Sequence, residues 1–324
     1  MRLTLEETLA ALREPEKVII TAHEHPDGDA IGSSLALARY LRRLGKEAAV
    51  LIDDEVPPCF KVLPGAGEIT APEEGCRYRA DLLVVLDASL DRIGKVAEAV
   101  SAPILNIDHH HTNDGRAESL YLDGERAATA EIVYQLIELA GGGFDREMAQ
   151  ALYTGLATDT GFFRFSNTKP LTMRAAARML EAGAEPHVIS EALEQRPYSH
   201  VKGLADALQH MELWHGGRAA GAFLSPEAME GIEATDGLID MLRVIEGVEI
   251  AVVMKYKEAG KARVSMRSQG VDVSRVALQF GGGGHVRAAG CSIEKPFEEG
   301  KAMLQRAIDE ALAPTDPGKN GEGL

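Results

Sequence analysis

The chain has 324 residues, 45% of them hydrophobic and 26% charged, with a formal net charge of -16 at pH 7. That length is more than one core usually holds and the apolar share fills a sizeable interior, so a globular protein of two domains is expected. The acidic balance excludes a protein that coats long nucleic acid by bulk electrostatics, and the widely spaced Cys59, Cys76 and Cys291 exclude a disulfide framework or a thiolate zinc site and fit a reducing compartment.

The first 17 residues are acidic and amphipathic without an apolar signal core, and no run of about 18 apolar residues follows, so a cytoplasmic protein with no membrane partner is expected. Four short runs, 18–22, 48–52, 82–86 and 104–107, are almost wholly apolar, as strands buried on both faces are, and predict a parallel sheet. Helical periodicity at 30–44 stops at Gly45, and further helices are predicted at 129–140, 146–157 and 171–182. Residues 1–185 thus read as an α/β domain, a parallel sheet with helices on both faces. The stretch 186–209 carries Pro186 and Pro197 within helical composition and reads as a helical connector that would act as a hinge. Over 210–313 the texture changes to a smaller α+β domain: strands at 218–224, 249–256 and 262–267, a helix at 273–280, a glycine run and a last helix at 297–312. Residues 314–324 are rich in Pro, Gly and charge and read as a disordered tail.

Asp and His recur just past the apolar runs: His23, Asp27 and Asp29 in HEHPDGDA, Asp87 in LLVVLDAS, Asp108, His109 and His110 in ILNIDHHHTN, and Asp159 in LATDTGFF. In a parallel sheet ligands gather beyond the carboxyl ends of strands, so one site could collect them all. Oxygen and imidazole donors suit divalent ions, and the carboxylates of Asp27, Asp29, Asp87 and Asp159 would offset two of them. The pattern predicts a hydrolase with a binuclear centre, manganese favoured and magnesium or cobalt the alternatives. Taken singly, His23 or Asp87 is more often a cap or a turn residue than a ligand; the joint pattern reverses that weighting. His25, His111, His187, His200, His210 and His215 carry no assigned role.

The run from Gly281 to Gly284, before His285, would let backbone approach an anionic ligand, although such a run alone is more often a flexible turn. From 255 to 287 the basic residues Lys255, Lys257, Lys261, Arg263, Arg267, Arg275 and Arg287 outnumber the acidic Glu258 and Asp272, reversing the overall charge. A strand period of two would put Arg263, Ser265 and Arg267 on one face, a comb for a phosphate, while Lys255, Lys257 and Lys261 read as a solvated face. Arg164, after Asp159, would line the cleft, with Phe162 or Phe165 equally readable as base-stacking or core. Gly141 to Gly143 reads as a helix stop.

The segments HEHPDGDAIGS, VVLDAS, IDHHHTN, ATDTGFFRFSNT and RVSMRSQGVDVSRVALQFGGGGHVRAAG stand in the order found in the DHH/DHHA1 phosphoesterase family, and within it the chain resembles the RecJ-like NrnA-type nanoRNases and 3′-phosphoadenosine 5′-phosphate phosphatases. The resemblance implies that His23 and Asp27 hold one metal, Asp29, His109 and Asp159 the other, and that Asp87 bridges them. It implies that Asp108 fixes the imidazole of His109, that His110 faces the scissile phosphate as hydrogen-bond donor or general acid, and that Ser265, Arg267 and His285, with Gly282, Gly283 and Gly284, contact substrate. The implied activity is hydrolysis of short oligonucleotides to mononucleotides, and of 3′-phosphoadenosine 5′-phosphate to AMP, by a water activated between two metals. A linear dinucleotide (pApA) phosphodiesterase and a single-strand DNA exonuclease are the enzymic alternatives, though a RecJ-like exonuclease is expected to be longer. The glycine run disfavours a family inorganic pyrophosphatase. A nucleotide-binding regulatory module and an RNA-binding accessory protein are the non-enzymic ones, the first disfavoured by the intact ligand set and the second by the acidic charge. Substrate preference among short RNA, short DNA and 3′,5′-bisphosphate nucleotides, cleavage polarity and oligomeric state, a homodimer included, stay open at this point.

Overall fold

A computed structural model describes residues 1–313 apart from 231, 233, 234 and 259; the expected tail at 314–324 lies outside them. The chain forms two compact units that divide between Gln195 and Arg196. In the first, the elements are α1 (Leu5–Arg13), β1 (Lys17–Thr21), α2 (Gly28–Arg43), β2 (Glu47–Val50), β3 (Tyr78–Arg79), β4 (Leu82–Leu86), α3 (Val96–Ala99), β5 (Val100–Ser101), β6 (Ile104–Asp108), β7 (Ser119–Leu122), α4 (Thr129–Leu139), α5 (Arg146–Asp159), α6 (Pro170–Glu181) and α7 (Pro186–Glu194). The main sheet runs β2-β1-β4-β6-β7 with every pairing parallel.

Both faces of this sheet are covered, which is why its strands are near-continuous apolar runs. Val18, Ile20, Val84 and Leu86 pack with α2, α4 and α5 in the larger core, whereas the alternating Ile19, Leu83 and Val85 meet Ile93, Val96 and Val100 on the opposite face. The strand order reverses between β1 and β4, and a crevice opens at the carboxyl ends of strands where such a reversal occurs.

Helix α2 starts at Gly28, ahead of its expected position, because the Asp27 carboxylate caps it by accepting from the amides of Asp29 and Ala30. It runs antiparallel to α5 at unusually short range. A Cβ on Gly32 would lie 2.3 Å from the Ala151 carbonyl oxygen, and one on Gly155 would lie 2.6 Å from both Ala130 Cβ and Asp29 Oδ1.

The second unit contains α8 (Tyr198–Leu208), β8 (Met211–Trp214), β9 (Ala219–Leu224), α9 (Leu238–Arg243), β10 (Ile250–Glu258), β11 (Lys261–Ser268), α10 (Val273–Gln279), β12 (Gly283–His285), β13 (Ala288–Ile293) and α11 (Phe297–Leu312). The stretch 186–209 is therefore shared, α7 lying in the first unit and α8 in the second. The sheet order is β12-β13-β11-β10-β9-β8, antiparallel except for β9 with β10. One face packs on α10 and α11. On the other, Ala220, Ala222, Ala251 and Val253 are covered by residues of α8 and α9, while the β11–β13 half stays open.

Gly32→Ala drives a methyl into backbone of the facing helix, which has no side chain to move aside. It is expected to lower the free energy of unfolding by about 1–3 kcal/mol, read from urea midpoints at unchanged slope; wild-type stability would contradict the close-packing account.

Candidate metal centre

The sheet and the α2–α5 pair deliver the candidate donors to one place. His23 follows β1, Asp87 follows β4, and Asp108 and His109 sit at the end of β6, all at carboxyl ends of parallel strands. The antiparallel crossing brings the start of α2, with Asp27 and Asp29, against the end of α5, where Asp159 is the last helical residue.

Three groups result, each with one donor atom per residue mutually within 4.8 Å: His23, Asp27 and Asp87; Asp29, His109 and Asp159; and Asp87, His109 and His110. Asp87 divides its two oxygens between the first two groups. Its Oδ2 is 3.6 Å from His23 Nε2 and its Oδ1 is 3.4 Å from His109 Nε2. His23 Nε2 lies 3.8 Å from Asp27 Oδ2, and His109 Nε2 lies 3.2 Å from Asp159 Oδ2 and 4.0 Å from Asp29 Oδ2.

The surroundings fix these candidate donors in place. Nδ1 of His23 donates to the Glu24 carbonyl at 2.8 Å and Nδ1 of His109 to the Arg126 carbonyl at 3.3 Å, so in both rings Nε2 faces the carboxylates. The fully buried Asp29 accepts from the amides of Thr129 and Ala130 at the start of α4. Asp87 has φ 58°, a left-handed backbone that costs a residue bearing a Cβ. Its turn is held by Asn106, whose side-chain amide donates to the carbonyls of Val85 and Ala88, and its carboxylate accepts from Thr129 Oγ1 at 3.0 Å.

The crowded carboxylates and rings shift one another's titration. Burial disfavours a charged ring at His23, yet Asp27 and Asp87 outweigh it and lift the pKa to about 10; His109, likewise opposed by burial, is lifted to about 11 by Asp159, Asp87 and Asp29. Burial and the nearby carboxylates of Asp87 and Asp159 push Asp29 well above the carboxylate range. Burial also raises Asp159, against the His109 ring and with Asp87 and Asp27. Asp87 is the exception: burial opposes its ionisation, but the rings of His109 and His23 hold it well below the usual range. Nε2 of His109 is buried and close to the Asp159 and Asp87 carboxylates, but none of these contacts has the alignment of a hydrogen bond. An imidazole nitrogen in that state, ringed by carboxylates that draw protons, fits a divalent cation.

The remaining expected residues divide. Asp108 does not bond the imidazole of His109. Its Oδ1 accepts from the His109 and His110 amides and from His110 Nδ1 at 2.8 Å, because the strand ends at Asp108 and the chain curls back over its carboxylate. Asp108 therefore orients His110, whose ring is 39% exposed and 3.6 Å from Asp87 Oδ1. Arg164 spends its Nε on the Gly161 carbonyl. Phe162 packs on the larger core, whereas Phe165 is 55% exposed and covers Gly161. His111 lies over Gly124.

In the second unit the expected comb is present: Arg263, Ser265 and Arg267 alternate with the buried Ala262, Val264 and Met266. The register sets Ser265 beside Gly290, which pairs on its other side with Gly283, and Arg267 beside Ala288, which pairs on its other side with His285, so small residues of β13 floor an open groove of about 610 Å³ that Arg263, Ser265, Arg267 and Gly281 to Gly284 line. His285 is exposed at the end of β12. Part of the glycine run serves the sheet itself, since a Cβ on Gly282 would lie 2.2 Å from the Gly290 carbonyl oxygen and one on Gly284 2.5 Å from that of Ala288. Its expected freedom to approach a ligand rests with Gly281 and Gly283, neither of which has anything within 4 Å of such a Cβ.

Sequence reasoning missed Thr129, Asn106 and Asn113. Asn113 donates to Asn106 Oδ1 at 2.8 Å and to Asp108 Oδ2 at 2.7 Å, joining the Asp87 turn to the Asp108–His110 pair. The one available signal was the pair of amides bracketing IDHHHT, Asn106 within the otherwise apolar strand and Asn113 past its end.

Comparison with known proteins follows the same outline. The DHH family, N-terminal domain, matches residues 17–156 and the DHHA1 domain residues 227–313. A bifunctional oligoribonuclease and PAP phosphatase NrnA of Thermus thermophilus is 38% identical over 96% of this chain and 94% of its own length. The chain belongs to the DHH family. In fold, an exopolyphosphatase-related protein from Bacteroides fragilis covers 94% of this chain and 95% of its own at TM-score 0.80 and 24% identity. An exonuclease RecJ bound to manganese covers 98% and 96% at TM-score 0.51 and 16% identity. Among the described residues no helix is long and apolar enough to cross a membrane.

At neutral pH rings with pKa lifted to about 10 and 11 carry protons that a cation binding at these nitrogens would have to displace. Manganese binding to the metal-free protein is therefore expected to release protons and to tighten as pH rises. Calorimetry in buffers of differing ionisation enthalpy checks this; binding with no proton release would contradict the charge account.

Proposed function

We propose that this protein is a metal-dependent phosphoesterase that hydrolyses short oligoribonucleotides to mononucleotides and 3′-phosphoadenosine 5′-phosphate to AMP. The observation that carries the reading is the Asp87 carboxylate, buried where the strand order reverses, with one oxygen toward each of two His–Asp groups. The name of the Thermus relative supports the substrate class. A cytoplasmic setting goes with it, since free thiols at Cys59, Cys76 and Cys291 fit a reducing compartment.

In this reading His23 and Asp27 hold one divalent cation, Asp29, His109 and Asp159 hold a second, and Asp87 serves both; manganese is the favoured ion. Bound there, the pair supplies charge neutralisation at the phosphoryl oxygens and a water acidified to a nucleophile near neutral pH. The protein contributes the rest. Asp108 fixes the His110 ring through Nδ1, leaving Nε2 to donate a hydrogen bond to the phosphate or a proton to the departing oxygen. Its bond to Asp108 raises the His110 pKa, which favours the donating form. In the second unit Arg267, Ser265 and His285 bind a substrate phosphate beside the backbone of Gly282, Gly283 and Gly284; in the first unit Arg164 is a substrate contact in its own right.

The test is hydrolysis, in manganese, of RNA from dinucleotides to long oligomers beside 3′-phosphoadenosine 5′-phosphate, linear pApA and short DNA. Turnover is expected to fall steeply with RNA length and to be lost in Asp87→Asn by more than the roughly 100-fold that removal of an outer partner costs; Asp108→Ala should lose about 10- to 100-fold in kcat. Arg267→Ala should act on KM more than on kcat. Tight binding without turnover of any substrate would replace the reading by a regulatory nucleotide-binding module.

A further inference from the structure

The loop that carries His23 and Asp27 turns on His25. This residue has φ 56°, in the left-handed region that residues with a Cβ avoid. Its side chain is 92% exposed, so core packing does not hold it there. Asp54 does: its Oδ2 accepts from the His25 backbone N–H at 2.7 Å and pairs with the same residue's ring Nδ1.

Asp54 lies beyond the end of β2, the strand beside β1, and its neighbour Asp53 reaches the loop after β4. Asp53 Oδ2 accepts from the Lys95 amide at 2.9 Å and stands 2.4 Å from where a Cβ on Gly94 would be. That loop returns to the start of the turn, the Glu24 amide donating to the Arg92 carbonyl at 2.8 Å. Three segments, after β1, β2 and β4, are thus closed into a ring of contacts around the turn between the two donors.

We infer that Asp54 is a positioning residue for the metal centre, holding His25 in its left-handed turn so that His23 Nε2 and Asp27 Oδ2, 3.8 Å apart, converge on one cation. The inference rests on the reading of His23, Asp27 and Asp87 as ligands of one ion. Without the Asp54 acceptor, His25 relaxes to negative φ and the donors on either side of it swing apart. The Asp29, His109 and Asp159 group, built on α2, β6 and α5, is untouched by that change.

The experiment is calorimetric titration of the metal-free full-length protein with manganese alone, with folding followed by circular dichroism. Asp54→Ala is expected to weaken one of two ions about 10- to 100-fold, the usual effect of losing an outer partner, and to leave the other near the wild-type value. Asp54→Asn keeps an acceptor for the His25 N–H and should retain most of the affinity. The discriminating variant is His25→Gly in the Asp54→Ala background. Glycine takes positive φ freely, so the weakened ion should return close to wild-type affinity, which removal of a second side chain would not achieve for a merely structural loss. Where Asp54→Ala does not fold, recovered folding and binding in the double variant carries the same support, and failure to recover overturns the inference. Wild-type affinity in Asp54→Ala, or a double variant as weak as the single one, overturns the clamp alone. No manganese uptake by the wild-type chain overturns the reading of the centre and the clamp with it.

Discussion

Burying Asp29 and Asp87 beside Asp27 and Asp159 is the constraint on which the first unit is organised. Two like charges 4 Å apart repel by about 1 kcal/mol in water and on the order of 4 kcal/mol near a protein surface, and burial adds its own penalty. The protein answers with fixed dipoles. Asp29 takes two amides from the start of α4, where the helix end is partially positive, and Asp27 takes two from the start of α2. Imidazoles absorb the remainder as protons, which is the condition a divalent cation exchanges into.

That electrostatic arrangement requires mechanical precision, and the backbone supplies it. Gly32 and Gly155 let α2 and α5 approach until the acidic start of one meets the acidic end of the other. The reversal of strand order sets the ends of β1 and β4 side by side, so Asp87 stands between the donors that follow β1 and those that follow β6. The second unit uses the opposite device. Helices α8 and α9 cover only part of one sheet face, and small residues on β13 leave the rest open as a groove with Arg263, Ser265 and Arg267 along its side.

Much of this was legible in the residues. The strands of the main sheet stood out because burial on both faces leaves no polar alternation to confuse with a loop. Other strands escaped notice for equally physical reasons. Segments β7 and β8 are four residues long and only partly buried, and β12 is made of glycine and histidine, whose extended conformation comes from pairing with β13 rather than from any preference of its own. The connector read as one piece at 186–209 belongs to two units, since proline spacing marks helix starts at 186 and near 198 without telling which core each helix joins.

The sequence by itself determined which donors are on offer, because donor type belongs to the residue and His23, Asp27, Asp29, Asp87, His109 and Asp159 lie at or near the ends of elements whose periodicity is local. It also determined the comb on β11, because a period of two follows from strand geometry alone. Only the tertiary structure decided which groups meet: that Asp87 shares its two oxygens, that Asp108 steers His110 rather than His109, that Thr129 and Asn106 hold the Asp87 turn, and that Asp54 restrains His25. These contacts join segments distant in the chain or depend on the direction of a side chain after a strand ends, and packing sets both.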